Sequence, residues 1–532
     1  MKFEWYLYST LLLPLGLFIV LVKLYRKKKQ FANQIKLTHQ FVKRELARKR
    51  LELKALGGRE VWEYPEEIRN HPLSVDLDLC KKTGLVPFLD VTISSQGFDR
   101  FLKKLLQIEP FEGNLLQKKV KSYLGDGRFL FQILRKSIIP GEENSKLDLG
   151  PLDAKESFWK KHPWMRYFFP VLGVFTPIYL LLSSIFSLPF VPLLLFVNAM
   201  IFLRHRKESL GYWNEIERIG SIASNVSYAW IRMFPKARQK TKRMCVELTQ
   251  LKNDKEWIVS ILPHFLLNVI FLWDFWKIRR FQKWYDENAQ HWSEMRNQWI
   301  ELESNLPAAQ FAYLNPEYEF PIWNSSAQLS ADSIVHPLIP FSMRVINPVH
   351  SIQQSDLVII TGSNMSGKTT YLRTIAVNLM LAGIGAPCSG KNVQLPAVKI
   401  HTLIRSQDSL EDGISFFYSE VRRLASILNA KDDQNLVPIL FFDEILKGTN
   451  SKERKIATEE ILLLLRKKGA IVFVTTHDLD LASLQDAKLF HFTELEENGE
   501  MKFDYQIRLG ISQSTNALRI LQKEGIPISK LS

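Results

Sequence analysis

The sequence predicts an α/β domain placed after a mostly α-helical region that carries transmembrane helices. Three observations predict it. Two long apolar blocks, near residues 5–24 and 167–203, are bordered by basic residues. Residues 207–318 are rich in Leu, Ile, Trp, Glu, Lys and Arg and poor in Gly, which suits long packed helices. From about Val335 the composition changes, and runs that read as buried strands appear, the first of them leading into a glycine-bearing loop.

The bulk properties narrow the field. The chain has 532 residues, enough for three or four units at about 150 residues each. Charged residues make up 23% and hydrophobic ones 46%, which excludes wholesale disorder. The three cysteines, Cys80, Cys245 and Cys388, lie far apart and form no CxxC pair, so neither a zinc ribbon, a redox dithiol nor a disulfide framework is expected. A reducing compartment fits. Lys and Arg total 70 against 55 acids, a formal charge of +15. That surplus suits anionic partners, nucleic acid or anionic lipid, without choosing between them.

The N-terminal segment Trp5 to Leu24 carries Lys23 as its one charge and is followed by Arg26, Lys27, Lys28 and Lys29. About 20 apolar residues span a bilayer, and the basic cluster puts the following chain inside. A cleaved signal peptide is the rival reading, but it wants positive charge before the apolar run and small residues after it. We therefore expect an anchor over 1–30. Between Arg26 and Arg50 lie ten basic residues and one acid, Glu45, which suits a helix near anionic headgroups. The block Tyr167 to Leu203 contains Pro177, Pro189 and Pro192 and is too long for one span. It reads as two helices, about 167–185 and 187–203, turning near Ser187-Leu188-Pro189. Lys160, Lys161 and Arg166 before it and Arg204, Arg206 and Lys207 after it put both ends inside. A third run, Ile258 to Trp276, holds Pro263, His264, Asn268 and Asp274 and reads as a buried core helix, because an intramembrane Asp is costly without a partner. The expected units are thus 1–30 (anchor), 31–160 (basic helix and first part of a helical core), 161–206 (transmembrane hairpin), 207–330 (helical core) and 331–532 (α/β domain). Counting the anchor, three transmembrane helices are expected.

The α/β domain carries the chemistry. Leu357 to Thr361 reads as a buried strand running into Gly362-Ser363-Asn364-Met365-Ser366-Gly367-Lys368-Thr369, and Thr370 to Ala382 reads as a helix. This is GxxxxGK[ST] in the strand–loop–helix setting it requires. The glycines let backbone N–H groups face phosphates, and the helix N-terminus adds a favourable dipole. Lys368 would reach the β- and γ-phosphates of ATP, and the Thr369 hydroxyl would sit on Mg²⁺. Val437 to Phe442 reads as a strand ending in Asp443-Glu444, with Asp443 placed for the metal shell and Glu444 for the attacking water. Ala470 to Thr476 reads as a strand ending at His477, placed to report the γ-phosphate.

These residues resemble a family. The segment TGSNMSGKTTYLRTIA looks like the phosphate loop of the MutS mismatch-repair ATPases, FFDEILKGTNSKER like their second acidic motif, and FVTTHDLDLA like their histidine switch. Gly413 to Glu420 is similar to the family's signature loop. His336-Pro337-Leu338, Val345-Ile346-Asn347, Tyr505 to Gly510 and Asn516-Ala517-Leu518 resemble the entry and the close of the same domain. More weakly, His71 to Leu79, Trp299 to Glu303 and Phe311 to Tyr313 resemble the family's core and last lever helix. The resemblance implies an ABC-like P-loop ATPase domain, MutS domain V, over 331–532. It also implies nucleotide sandwiched between two such domains of a homodimer, with Ser415 reaching the partner's γ-phosphate and helical levers moving with the nucleotide state. The chain departs from the family where a mismatch-reading domain would precede the core. Ser363 replaces the usual Pro, and Phe416 the usual Thr. Two function classes follow. One is a membrane-anchored ATPase, multi-pass in a bacterial inner membrane with the ATPase domain cytoplasmic, acting on double-stranded or branched DNA in a mismatch-repair-related role. The other is a transport, remodelling or signalling ATPase that uses the same engine without DNA. An ATP-binding scaffold with negligible turnover is a third reading, and the full set Lys368, Thr369, Asp443, Glu444 and His477 argues against it.

Overall fold

The computed structural model describes residues 38–56, 63–136, 146–150, 164–186, 189–233, 235–254, 261–363, 365–404, 416–430, 435–446, 450–477, 486–497 and 500–511, with single positions or pairs at 24–25, 28, 31–32, 35–36, 481 and 484. The expected anchor up to Lys23, Asn364 and Ser415 fall outside the described residues.

The N-terminal half is helical. Residues 38–49 form a helix, and short helices follow at Glu66–Arg69, Pro72–Asp76 and Leu85–Leu89. Helix α1 (Ser95–Leu105) is capped by the Ser94 hydroxyl, which accepts from the Gly97 N–H at 3.0 Å. Such a cap satisfies a donor the helix itself cannot. Helices α2 (Gly113–Leu124) and α3 (Gly127–Lys136) come next. Then follow α4 (Met165–Phe186), α5 (Val191–Met233), α6 (Arg238–Asp254), α7 (Ile261–Phe271) and α8 (Trp273–Leu314). At about 1.5 Å per residue, α5 and α8 each run roughly 60 Å. Helix α8 is held by a stripe at helical spacing, Ile278, Phe281, Trp284, Trp292, Met295, Trp299 and Leu302, all buried. Trp292 meets Trp230 of α5 edge-on, with ring centroids 5.2 Å apart. The C-terminal part of α8 packs on α1 and α2.

The expected second hairpin helix, 187–203, begins at Val191 and continues unbroken to Met233, through the boundary drawn at 206. No glycine or proline interrupts α5 where apolar sequence gives way to charged sequence, so the change of composition is not a change of element. Among the described residues, one helix is long and apolar enough to cross a membrane, Tyr167–Phe186. The expectation of a buried core helix near 258–276 also needs correction. Helix α7 is buried on one side at His264 and Asn268, whereas Leu262 and Leu266 are exposed.

The α/β domain is a six-stranded sheet in the order β11-β10-β4-β9-β8-β7. Its strands are β4 (Leu357–Thr361), β7 (Val398–Leu403), β8 (Val437–Asp443), β9 (Ile471–Thr475), β10 (Ala487–Glu497) and β11 (Glu500–Leu509). All neighbours are parallel except the β10–β11 hairpin. Alternation assigns the two faces. Val358, Ile360, Ile439, Phe441, Ile471 and Phe473 join the large core that continues into the helical half. Leu357, Ile359, Leu440, Phe442, Val472 and Val474 build a second core with the helices of the other face. Those helices are α10 (Phe416–Leu428) and α11 (Ser451–Lys467), while α9 (Lys368–Gly383) follows β4. A smaller sheet of β1 (Ile322–Trp323), β2 (Leu329–Ile334), β3 (Asn347–Ile352), β5 (Gly390–Lys391) and β6 (Gln394–Leu395) leads into the domain.

The two halves share specific bonds. Gln107, just beyond α1, acts as a substitute strand partner: its amide donates to the Val398 carbonyl at 3.0 Å and accepts from Ile400 N–H at 2.9 Å. Asp76, fully buried, accepts from Arg423 on α10 at 2.8 Å and from Ile404 N–H at 3.2 Å. Arg373 on α9 pairs with Asp78 at 3.1 Å.

Candidate functional site

Strand order creates the site. Parallel β4 has β9 on one side and β10 on the other. The loop after β4 therefore opens beside the carboxyl ends of its neighbours, where open α/β sheets bind ligands. The loop's conformation requires its glycines. Gly362 has φ +140°, and a Cβ there would lie 2.8 Å from the Phe492 carbonyl. Gly367 has φ +107° at the start of α9. The Ser366 hydroxyl donates to the Ser363 carbonyl at 2.8 Å and tightens the turn. Met365 also has positive φ, and its side chain stands in solvent.

Lys368 is buried and curls back into the loop. Its ammonium donates to the carbonyls of Gly362 at 2.7 Å and Ser363 at 2.6 Å, with His477 Nε2 3.4 Å away. Thr369 Oγ1 donates to Asp443 Oδ2 at 2.9 Å, and Thr475 Oγ1 donates to Asp443 Oδ1. Glu444 has φ +57°, a strained turn directly after β8, and its N–H donates to the Thr475 carbonyl at 3.1 Å. That turn presents Glu444 Oε1 to His477 Nε2 at 2.7 Å. Lys368, Thr369, Asp443, Glu444 and His477 thus meet in one place, although they come from three separate segments. Thr370 points elsewhere, into a neighbouring cavity.

That cavity, of about 330 Å³, was not foreseen from the sequence. It lies against Gly367 and is lined by His336, Arg344, Tyr371 and Tyr505 among others. Arg344 is fixed there by donating to Tyr318 Oη at 2.6 Å and to the Ile339 carbonyl at 2.6 Å. Burial, with Arg373 and Arg344 nearby, pushes the His336 imidazole down to about 4. Its Nδ1 accepts the Leu338 N–H at 3.3 Å, as a neutral ring can. Three more polar groups escaped notice. Thr475 anchors Asp443 (above). Buried Glu420 accepts the Leu446 N–H at 2.7 Å and ties α10 to the turn after β8. Glu494 lies in β10 with its carboxylate buried; burial raises its pKa, and the charge of Lys368 opposes that rise. Glu420 and Thr475 fell within motifs of the sequence without standing out there, and no spacing rule marks Glu494.

The donor set suits a nucleotide with a hard cation. A carboxylate and a hydroxyl at hydrogen-bond distance offer oxygen ligands of the kind Mg²⁺ takes. The loop, the helix N-terminus and a buried ammonium offer charge to phosphates.

Residues 358–531 match the family model of MutS domain V. The chain is also 30% identical over 237 residues to the DNA mismatch repair protein MutS of Chlamydia muridarum, covering 42% of this chain and 28% of that one. It is 28% identical over 233 residues to MutS of Natronomonas pharaonis, covering 41% and 26%. It is 31% identical over 182 residues to the DNA mismatch repair protein MutS 2 of Haloarcula marismortui, covering 33% and 19%. The chain spans little more than a quarter of the length of the first two relatives. Together these findings make the C-terminal part of the chain similar to MutS domain V and indicate an ATPase. The domain V match begins inside β4 and takes in every site residue described above from Gly362 to His477.

Proposed function

We propose that the chain is a membrane-held, MutS-like ATPase that binds and hydrolyses ATP with Mg²⁺ at a homodimer interface and passes the motion along α5 and α8. The observation that carries the reading is the convergence of Lys368, Thr369, Asp443, Glu444 and His477 at adjacent strand ends. Backbone N–H groups of the loop from Gly362 to Thr370, Ser363, Asn364, Met365 and Ser366 among them, hold the phosphates. Lys368 leaves its two carbonyls for the β- and γ-phosphate oxygens. Mg²⁺ held by Thr369 and Asp443 would supply charge neutralisation at the phosphates. Glu444 orients the attacking water and takes its proton, and His477 senses the γ-phosphate through the hydrogen bond it shares with Glu444. The 330 Å³ cavity beside Gly367 receives the nucleoside. Ser415 of one copy completes the site of the other, as a donor placed where charge develops.

DNA, double-stranded or branched, is the substrate proposed for the levers in a mismatch-repair-related role, supported by the similarity to DNA mismatch repair proteins and by the +15 charge. A second reading, a membrane-remodelling, transport or signalling ATPase, has its own observation: α5 runs without a break from the apolar block into the lever region. In either reading the helices at 167–203 and the N-terminal anchor hold the chain in a membrane, with the ATPase domain on the cytoplasmic side. The test is ATP turnover of the detergent-solubilised full chain, with Lys368→Ala as the blank, titrated with perfect, mismatched and branched duplexes and with anionic vesicles at two salt concentrations. Stimulation by DNA that salt abolishes supports the first reading. Stimulation by vesicles alone supports the second.

A further inference from the structure

We infer that α7 is a half-depth membrane element, entering the lipid beside α4 and α5 and pinned to the lever α8 through Asp274. The inference rests on the membrane reading of 167–203 given above and adds a lipid contact that composition alone argued against.

The position of α7 carries it. Between Tyr167 and Leu203 the sequence has no Asp, Glu, Lys or Arg. Helix α7 packs inside that apolar block. Asn198 of α5 donates to the Thr176 hydroxyl of α4 at 3.0 Å and to the Val269 carbonyl of α7 at 2.8 Å. Gly173 of α4 lies so close to the end of α7 that a Cβ would stand 2.4 Å from the Phe271 carbonyl. Small residues allow such close helix approach in membranes. Thr176 is about 15 Å along α4 from Arg166, half of a bilayer core roughly 30 Å thick. At 11 residues α7 is too short to cross, and Leu272, at φ +47°, turns the chain back into α8.

Polarity sorts as a bilayer demands. The outward residues of α7, Leu262, Leu266 and Phe271, are exposed, as are Val171 and Phe175 of α4 and Phe196 and Met200 of α5, the helices on which α7 packs. The polar residues on the inward side, His264 and Asn268, close on Asp274. Asp274 accepts from Trp213 Nε1 at 3.1 Å and from the Ser209 hydroxyl, meets His264 Nε2 at 2.8 Å, and its N–H donates to Asn268 Oδ1 at 3.0 Å. The Asp that argued for a soluble core helix therefore has its partners, which removes the objection to lipid on the other side. Exposed Trp164 and Tyr167 stand at the base of α4, with Arg204, Arg206 and Lys207 beyond the apolar part of α5. That aromatic and basic rim fits an anionic headgroup layer. The occupant is the bilayer rather than a second copy of the chain.

The experiment is nitroxide labelling of the full chain in nanodiscs of phosphatidylcholine and phosphatidylglycerol. Single cysteines are placed by L262C and L266C on α7, F175C on α4 and K242C on α6. Burial pushes Cys80 up to about 11 and Cys245 and Cys388 to about 12, so the native thiols compete poorly for label. Accessibility to oxygen and to a water-soluble nickel chelate is read at each label. The expected result is loss of nickel access at 262, 266 and 175, with full access at 242. Nickel access at 262 and 266 but not at 175 overturns this inference and leaves the hairpin reading standing. Nickel access at all four positions overturns both. Spin–spin broadening at 262 and 266 that disappears on dilution with unlabelled chain overturns lipid in favour of a second copy.

Discussion

The molecule contains two constellations built from the same groups, and they are put to opposite use. At the carboxyl ends of β8 and β9, Glu444 meets His477 at 2.7 Å; at the helix junction, Asp274 meets His264 at 2.8 Å. The side chains of Glu444 and His477 are 28% and 39% exposed, whereas those of Asp274 and His264 are 1% and 8% exposed. Asp274 is ringed by Trp213, Ser209, His264 and Asn268, and the group serves only the packing of α5, α7 and α8. The pair at the strand ends faces an open loop, with an ammonium, a hydroxyl and a second carboxylate alongside. An acid–histidine pair is therefore evidence of chemistry only where a third molecule can reach it.

The largest expected effect breaks the open site. Lys368→Ala should reduce ATP turnover by about 10²–10³-fold or more, as loss of a preplaced charge donor does. Glu444→Gln should reduce turnover comparably while leaving ATP bound, and unchanged turnover in steady-state assays would remove Glu444 from its assigned role. Next comes the closed site. Asp274→Ala leaves several buried donors without an acceptor, at about 1–3 kcal/mol each. Thermal unfolding should shift downward by several degrees while nucleotide binding by the C-terminal domain persists.

Another buried acid makes stability depend on pH. Glu303 of α8 caps α1 by accepting from the N–H groups of Ile93 and Ser94 and from the Ser94 hydroxyl. Burial outweighs those bonds and pushes its carboxyl up to about 7. The folded state thus binds the proton more tightly than the unfolded one. Its stabilising contribution is present below the ordinary carboxylate range and is lost as pH rises through about 7. Denaturant unfolding from pH 5 to 8 should show this decline, and Glu303→Gln should flatten it. The smallest effect is on the surface. Lys242→Glu, on the exposed side of α6, should change stability by no more than about 0.5 kcal/mol. If the levers grip DNA, it should also lower the salt dependence of DNA binding.

Much of the open site was legible in the sequence because its parts are local. A phosphate loop needs glycines at fixed spacing directly after a strand, and Gly362, Gly367, Lys368 and Thr369 stand in one unbroken run. Asp443 and His477 were readable because each ends an apolar strand. The helical half was legible as helix but not as partition. Composition placed a boundary at 206 where the backbone of α5 has none, since apolar and charged stretches share the same 3.6-residue geometry. It also assigned α7 wholly to a core, because a single Asp in an apolar run says nothing of whether a partner waits elsewhere in the chain.

By itself, then, the sequence determined the chemistry available: a phosphate loop, an acidic strand end, a histidine after a third strand, and apolar runs with basic borders. Tertiary structure alone decided which of these meet. The order β10-β4-β9-β8 brings His477 within reach of Lys368, and the turn at Leu272 brings Asp274 to Trp213 and Ser209. The same level of structure makes Gln107 a surrogate strand against β7 and sets Glu494 near the loop. Each of these depends on contacts between residues far apart in the chain. Burial and strand order fix such contacts, and no local spacing encodes either.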